Sequence, residues 1–160
     1  MPTGPQQLRR TQRGLAYLAV MIAVAVIGVA AAFSVGAGAS LAQHDAEEEL
    51  LYVGLAFQQA LQAYAQASPL GTPRAPANLD SLLKDPRQPQ VRRYLRQIPL
   101  DPLTGRRDWV LIRNPQNLIV GLHSASKRKP LKVTGFAPAL ANLEGEHDTF
   151  EAWVFRGPVQ

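Results

Sequence analysis

The chain has 160 residues, 46% of them apolar, a net charge of +5 and no cysteine. That length suits one domain plus one special segment and excludes a large enzyme with a deep core. Without cysteine there are no disulfides, no thiolate metal ligands and no cysteine nucleophile.

The apolar residues are unevenly placed. They fill 23 of the 28 positions in 15–42, and no charged residue falls between Arg13 and Asp45. The remainder is poorer in apolar residues than an ordinary globular domain, and the 12 glycines and 13 prolines point to a loop-rich body. Arg9, Arg10 and Arg13 supply +3 of the net charge, so the basic character is concentrated at the N-terminal tip.

The uncharged run is long enough for a membrane-spanning helix, which needs about 20 apolar residues. Arg9, Arg10 and Arg13 precede it, and Asp45, Glu47, Glu48 and Glu49 follow it. The positive-inside bias then keeps the N-terminus cytoplasmic and puts the body across the membrane. Gly28, Gly36 and Gly38 weaken helix in the distal half. Three fates are open to the segment. It is a secretory signal cut after Ala42, a plain single-pass anchor, or a helix freed by removal of a short basic leader at Gly14.

Beyond the run, 43–67 reads as an amphipathic continuation of the same helix. Leu50, Val53, Gly54, Phe57, Leu61 and Tyr64 recur at spacings of three and four, while Gln58, Gln59, Gln62 and Gln66 sit mainly off that stripe. Ser68-Pro69 with Gly71 ends it. Consecutive helical residues point about 100° apart, so Glu47, Glu48 and Glu49 cannot converge on one ion. They read as a solvated belt beside the membrane.

In the body, 68–160, Pro76 to Asp85 predicts a short helix with Asn78 as N-cap and Leu79, Leu82 and Leu83 inward. Asp101, Pro102 and Gly105 predict a structural turn, because proline fixes φ and glycine tolerates positive φ. Trp109–Arg113 and Leu118–Leu122, joined through Asn114-Pro115-Gln116-Asn117, predict an antiparallel hairpin. Phe150–Phe155 predicts a further strand. The order implies an α+β fold: a long N-terminal helix packed on a small antiparallel sheet.

These residues, in this order, resemble the type IV pilin-like proteins, and within them the pseudopilins of type II secretion systems. Four segments carry the resemblance: the basic leader ending in Gly14, the proline-led Pro76–Leu83, the turn Ile98–Gly105, and the hairpin Trp109–Ile112 with Ile119–Ser126. Each is weak alone; together they span nearly the whole chain. The resemblance implies a structural subunit rather than an enzyme, with a type IV pilin-like fold. It implies a prepilin-type leader, 1–14, removed by a prepilin peptidase at the Gly14–Leu15 bond, with Leu15 then methylated. It implies a single pass of the bacterial inner membrane over 15–42 and a periplasmic body. The partners it implies are other pseudopilins through the N-terminal helix, an inner-membrane assembly platform and membrane lipid.

Two departures bear on that expectation. The family's usual glutamate at the fifth mature position is Ala19 here, which argues for a minor subunit. Major pseudopilins carry a calcium loop, but Ser124–Lys129 has cations where carboxylates would stand, so no calcium is expected there. Glu144, Glu146 and Asp148 are the remaining candidate oxygen ligands.

Other chemistry is absent from the pattern. His44, His123 and His147 have no metal spacing, and Ser124 and Ser126 lack a nucleophile elbow. No cofactor or metal is expected. Between Arg74 and Arg113 nine basic residues face four acids, with Tyr94 and Trp109 interleaved. They read as a solvated surface pairing with Asp80, Asp85, Asp101 and Asp108, or with an acidic neighbour. A nucleic-acid interface, as in a DNA-uptake pilin, is the less favoured alternative. A membrane-anchored interaction module is the other.

Overall fold

The computed structural model describes residues 8–158, without the side chains of 8–14 and 31–39. The chain divides into two compact units, Met1–Ala42 and Gln43–Gln160. The secondary structure is α+β, with a three-stranded antiparallel sheet of order β1-β2-β3.

Helix α1 runs from Leu8 to Gln66, and Gly28, Gly36 and Gly38 do not interrupt it. In the first unit every side chain from 15 to 30 is exposed, including Leu15, Tyr17, Ile22 and Ile27. Among the described residues no helix is long and apolar enough to cross a membrane. The expected span, 15–42, includes 31–39, whose side chains lie outside that description.

In the second unit the helix is one-sided, as its stripe requires. Leu50, Val53, Phe57, Leu61 and Tyr64 are all buried. They pack in one cluster with Leu82 of α2 (Asp80–Leu83) and Trp109. Ile119 and Leu122 of β2 (Ile119–His123) and Phe155 of β3 (Phe155–Arg156) belong to the same cluster. Gly54 lets the helix approach β3: a Cβ there would lie 2.1 Å from the Phe155 ring.

Strand β1 (Val110–Arg113) pairs with β2 in the register Leu111↔Leu122, within a residue of the expected hairpin. Its turn uses Asn117 at φ 62°, a left-handed conformation that asparagine tolerates. The Asn114 side chain accepts the Leu118 N–H at 2.9 Å.

Two expected elements are shorter than the sequence implies. Only Asp80–Leu83 of the proline-led segment is helical, because Lys84 is extended. Leu79 holds the N-cap position, and Asn78, one residue before it, accepts the Ser81 N–H at 2.9 Å. Phe150–Phe155 is not one strand. Phe150–Ala152 forms a 3₁₀ turn, and only Phe155–Arg156 joins the sheet. Both Phe150 and Trp153 are fully buried, and residues three apart eclipse in a 3₁₀ turn whereas they alternate faces in a strand. Their rings meet edge to face at 5.1 Å.

Candidate functional site

Of the expected processing site, Gly14 and Leu15 are consecutive residues of α1, and Leu15 is exposed. The side chains of Arg9, Arg10 and Arg13, proposed to set membrane orientation, lie outside the description, as do Met1–Gln7 of the leader.

The turn at Asp101 forms as its residues dictate. Gly105, at φ 70°, donates its N–H to the Asp101 carbonyl at 2.7 Å. Asp101 is fully buried, and its carboxylate accepts from the Leu103 N–H at 2.9 Å and from the Ser124 hydroxyl at 2.6 Å. Ser124 Oγ in turn accepts the Ser126 N–H at 3.0 Å. This corrects one expectation: Asp101 pairs with a serine rather than with the arginine surface. Ser124 joins the turn to the segment after β2.

The acidic run 47–49 also needs correcting. Glu48 and Glu49 are exposed, but Glu47 is 1% exposed. Its two oxygens accept the backbone N–H groups of Leu131 (2.8 Å) and Lys132 (3.0 Å), and the Gln43 amide reaches it at 3.1 Å. Gln43 also donates to the Lys129 carbonyl at 2.9 Å. The helix thus grips the loop after β2 by a buried carboxylate. The sequence signal is phase: Glu47 lies three residues before Leu50, on the buried stripe.

The arginine-rich stretch divides in two. Arg87 is nearly buried and makes a bidentate pair with Asp85, at 2.9 Å from Nε and 2.7 Å from Nη2. It donates to the carbonyls of Tyr64 (2.9 Å) and Pro73 (2.7 Å) and to the Ser68 hydroxyl. The Tyr94 hydroxyl donates to Asp85 at 2.8 Å. The hydrogen bond from Arg87, ahead of the cost of burial, holds the Asp85 carboxyl at about 2. Burial raises both Tyr64 and Tyr94, and the hydrogen bond to Asp85 adds to the effect at Tyr94. A cation placed on the last carbonyls of α1 also complements the helix dipole. The last turn of α1 has no basic residue of its own.

Arg92, Arg93 and Arg96 are exposed. Arg92 and Arg93 border a groove of ≈ 420 Å³ whose floor is Ala56, Ala60 and Ala63 of α1. Arg106 reaches Asp108 at 3.4 Å on the surface.

Of the histidines, His44 lies 3.6 Å from Glu48, His123 ends β2 against the Ser124 carbonyl, and His147 meets the Leu143 carbonyl. Among the described residues no three His, Cys, Asp or Glu side chains gather as a metal site. Glu146 is engaged by Lys129, and that contact lowers its pKa. The chain matches no family model, no curated protein and no solved structure.

Proposed function

We propose that the chain is a structural subunit: a minor pseudopilin of a type II secretion pseudopilus or of a related type IV pilus-like fibre. The observation that carries this reading is the contrast along α1. From 15 to 30 every side chain is exposed although nearly all are apolar, whereas from Leu50 to Tyr64 the same helix buries one stripe against an antiparallel sheet. Exposed apolar surface gains roughly 25 cal/mol per Å² when lipid or other helices cover it. A helix of this kind has two favourable states, one in the bilayer and one stacked with others, and a fibre forms by exchanging the first for the second.

On this reading the leader is removed at Gly14–Leu15, Leu15 is methylated, and the body stands on the periplasmic side of the inner membrane. Ala19 supplies no charge to the helix bundle, which suits a minor or initiating position. The buried polar groups of the body support a scaffold role. Asp101 and Ser124 bond each other, and Glu47 and Asp85 bind backbone and arginine.

The test is the N-terminal residue of the chain produced beside an active prepilin peptidase. The expected residue is Leu15, lost when Gly14→Val blocks cleavage. A chain beginning at Gln43 would make this a secreted domain. Retention of Met1–Gly14 would make it an anchored interaction module.

A further inference from the structure

We propose that the loop 127–133 rests on the membrane surface, with Leu131 and Val133 in the phospholipid headgroup layer and Lys127 and Lys132 against headgroup phosphates. The proposal deepens the fibre reading and rests on one part of it, that 15–42 spans a bilayer.

The loop is tied to the start of the second unit. Gln43 directly follows 15–42 in the chain, and its amide donates to the Lys129 carbonyl at 2.9 Å. One helical turn on, the Glu47 carboxylate accepts the Leu131 and Lys132 N–H groups. Four residues of helix rise about 6 Å. The headgroup layer adds about 5–7 Å to each side of the hydrocarbon core. A helix that leaves the core at Gln43 therefore keeps this loop at the surface.

The side chains of the loop have the chemistry of that layer. Leu131 and Val133 are 52% and 39% exposed, with only Lys132 between them. Lys127, Arg128 and Lys129 precede them and are exposed. Lys127 and Lys132 have no ion pair among the described residues; Lys132 overlies the Phe136 ring at 5.6 Å. At a bilayer surface apolar side chains dip inward while flexible basic ones carry their charge out to the phosphates. Lys129 adds little, since it pairs with Glu146 and faces Asp148. Asp45, Glu48 and Glu49 are also exposed on the first turns of the second unit. Net charge therefore does not drive the contact. The apolar pair drives it, and the two lysines set which way the loop faces.

The backbone suits a place with little water. The Val133 carbonyl accepts the Gly145 N–H at 2.9 Å, and the Arg128 carbonyl accepts the Phe150 N–H at 3.2 Å. Pro130 is buried and offers no N–H. With the bonds to Gln43 and Glu47, these polar groups are satisfied within the protein and lose nothing when the side chains enter the headgroups.

The chain has no cysteine, so single-cysteine variants of the full chain can each carry one polarity-sensitive dye. Leu131→Cys reports on the loop and Val26→Cys on the span. Leu70→Cys, at a fully exposed residue beyond the end of α1, is the control. The labelled chains are placed in vesicles of phosphatidylethanolamine and phosphatidylglycerol that contain a nitroxide lipid, shallow or deep. The dye at 131 should shift to the blue and be quenched by the shallow nitroxide, the dye at 26 by the deep one, and the dye at 70 by neither. Lys127→Glu with Lys132→Glu should lower the quenching at 131 about threefold. Quenching at 131 no greater than at 70, or indifferent to the charge reversal, would overturn the proposal. So would a blue shift at 131 without quenching, which would mean that protein rather than lipid covers the residue. Quenching at 26 but not at 131 leaves the span and removes this contact. Quenching at 131 but not at 26 keeps the contact and removes the span.

Discussion

The guanidinium of Arg87 lies 3.4 Å from the centroid of the Tyr64 ring, and the same group hydrogen-bonds the Tyr64 carbonyl. One side chain thus covers both the ring and the backbone of a residue in the last turn of α1. Asp85 holds that guanidinium in place from the other side, and Tyr94 supports Asp85. The end of the helix is fixed to the start of the loop-rich body by one charge network.

That network predicts an acid-labile helix end. The Asp85 carboxyl is lowered from 3.8 to about 2 in the folded chain, chiefly by its hydrogen bond to Arg87. A depressed acid stabilises the fold above its unfolded pKa and loses that contribution as pH falls through the folded value. The difference corresponds to about 2 kcal/mol, fully present above about pH 5 and lost towards pH 2. Urea midpoints of the full chain in detergent, taken from pH 6 to pH 2, should fall over this window. Asp85→Asn should lower the midpoint at pH 6 and flatten the fall. An acid slope unchanged in Asp85→Asn would show that another carboxyl carries it.

Gly54 and Gly28 should respond oppositely to alanine. At Gly54 the added Cβ would lie 2.1 Å from the Phe155 ring, so helix and strand must separate. Overpacking of this kind costs about 1–3 kcal/mol. At Gly28 the Cβ meets nothing within 4 Å, and the gain in helix propensity is up to about 1 kcal/mol. Thermal unfolding of the two variants, with helicity followed by circular dichroism, distinguishes these outcomes.

The same contrast explains which parts of the fold could be read from residues alone. The helical stripe and the hairpin are local patterns. Leu50, Phe57, Leu61 and Tyr64 are buried as their spacing requires, and β1 and β2 fall within a residue of their expected limits. The Asp101 turn is equally local, since its proline and glycine fix the backbone. What was not legible depends on distant partners. Phe150–Phe155 has strand-forming residues, yet Phe150 and Trp153 must both enter one core, and that requirement selects a 3₁₀ turn. Glu47 looked solvated beside Glu48 and Glu49 because its partners, the Leu131 and Lys132 amides, lie more than eighty residues away. Arg87 was one arginine among nine basic residues until Asp85 and the helix end enclosed it.

Glu47→Ala should release the loop after β2 while leaving the hairpin intact. The substitution removes two part-buried hydrogen bonds from the Leu131 and Lys132 N–H groups to a charged acceptor, each worth about 1.5–3 kcal/mol. Hydrogen exchange should therefore accelerate at residues 131 and 132 and remain slow at Leu122, which is fully buried in β2. Glu47→Gln, which keeps one acceptor oxygen, should show a smaller acceleration. Equal exchange in all three proteins would mean that the loop is held by other contacts.

The Asp101–Ser124 bond should be worth more to the fold than its surface counterparts. Both groups are fully buried and 2.6 Å apart, and Asp101 also holds the Leu103 N–H. Ser124→Ala removes one donor to a buried carboxylate and strands the Ser126 N–H, with a combined loss of about 2–4 kcal/mol. Arg106→Ala removes an exposed partner of Asp108, a contact of the class worth about 0–1 kcal/mol. Asp101→Ala should exceed both, because the turn loses its two acceptor oxygens and the buried Ser124 hydroxyl is left with no acceptor for its proton. Chemical unfolding of the three variants should rank them Asp101→Ala, Ser124→Ala, Arg106→Ala in decreasing damage. Should Arg106→Ala equal Ser124→Ala, the turn would be held by its backbone bonds and by Gly105, with the buried carboxylate adding little.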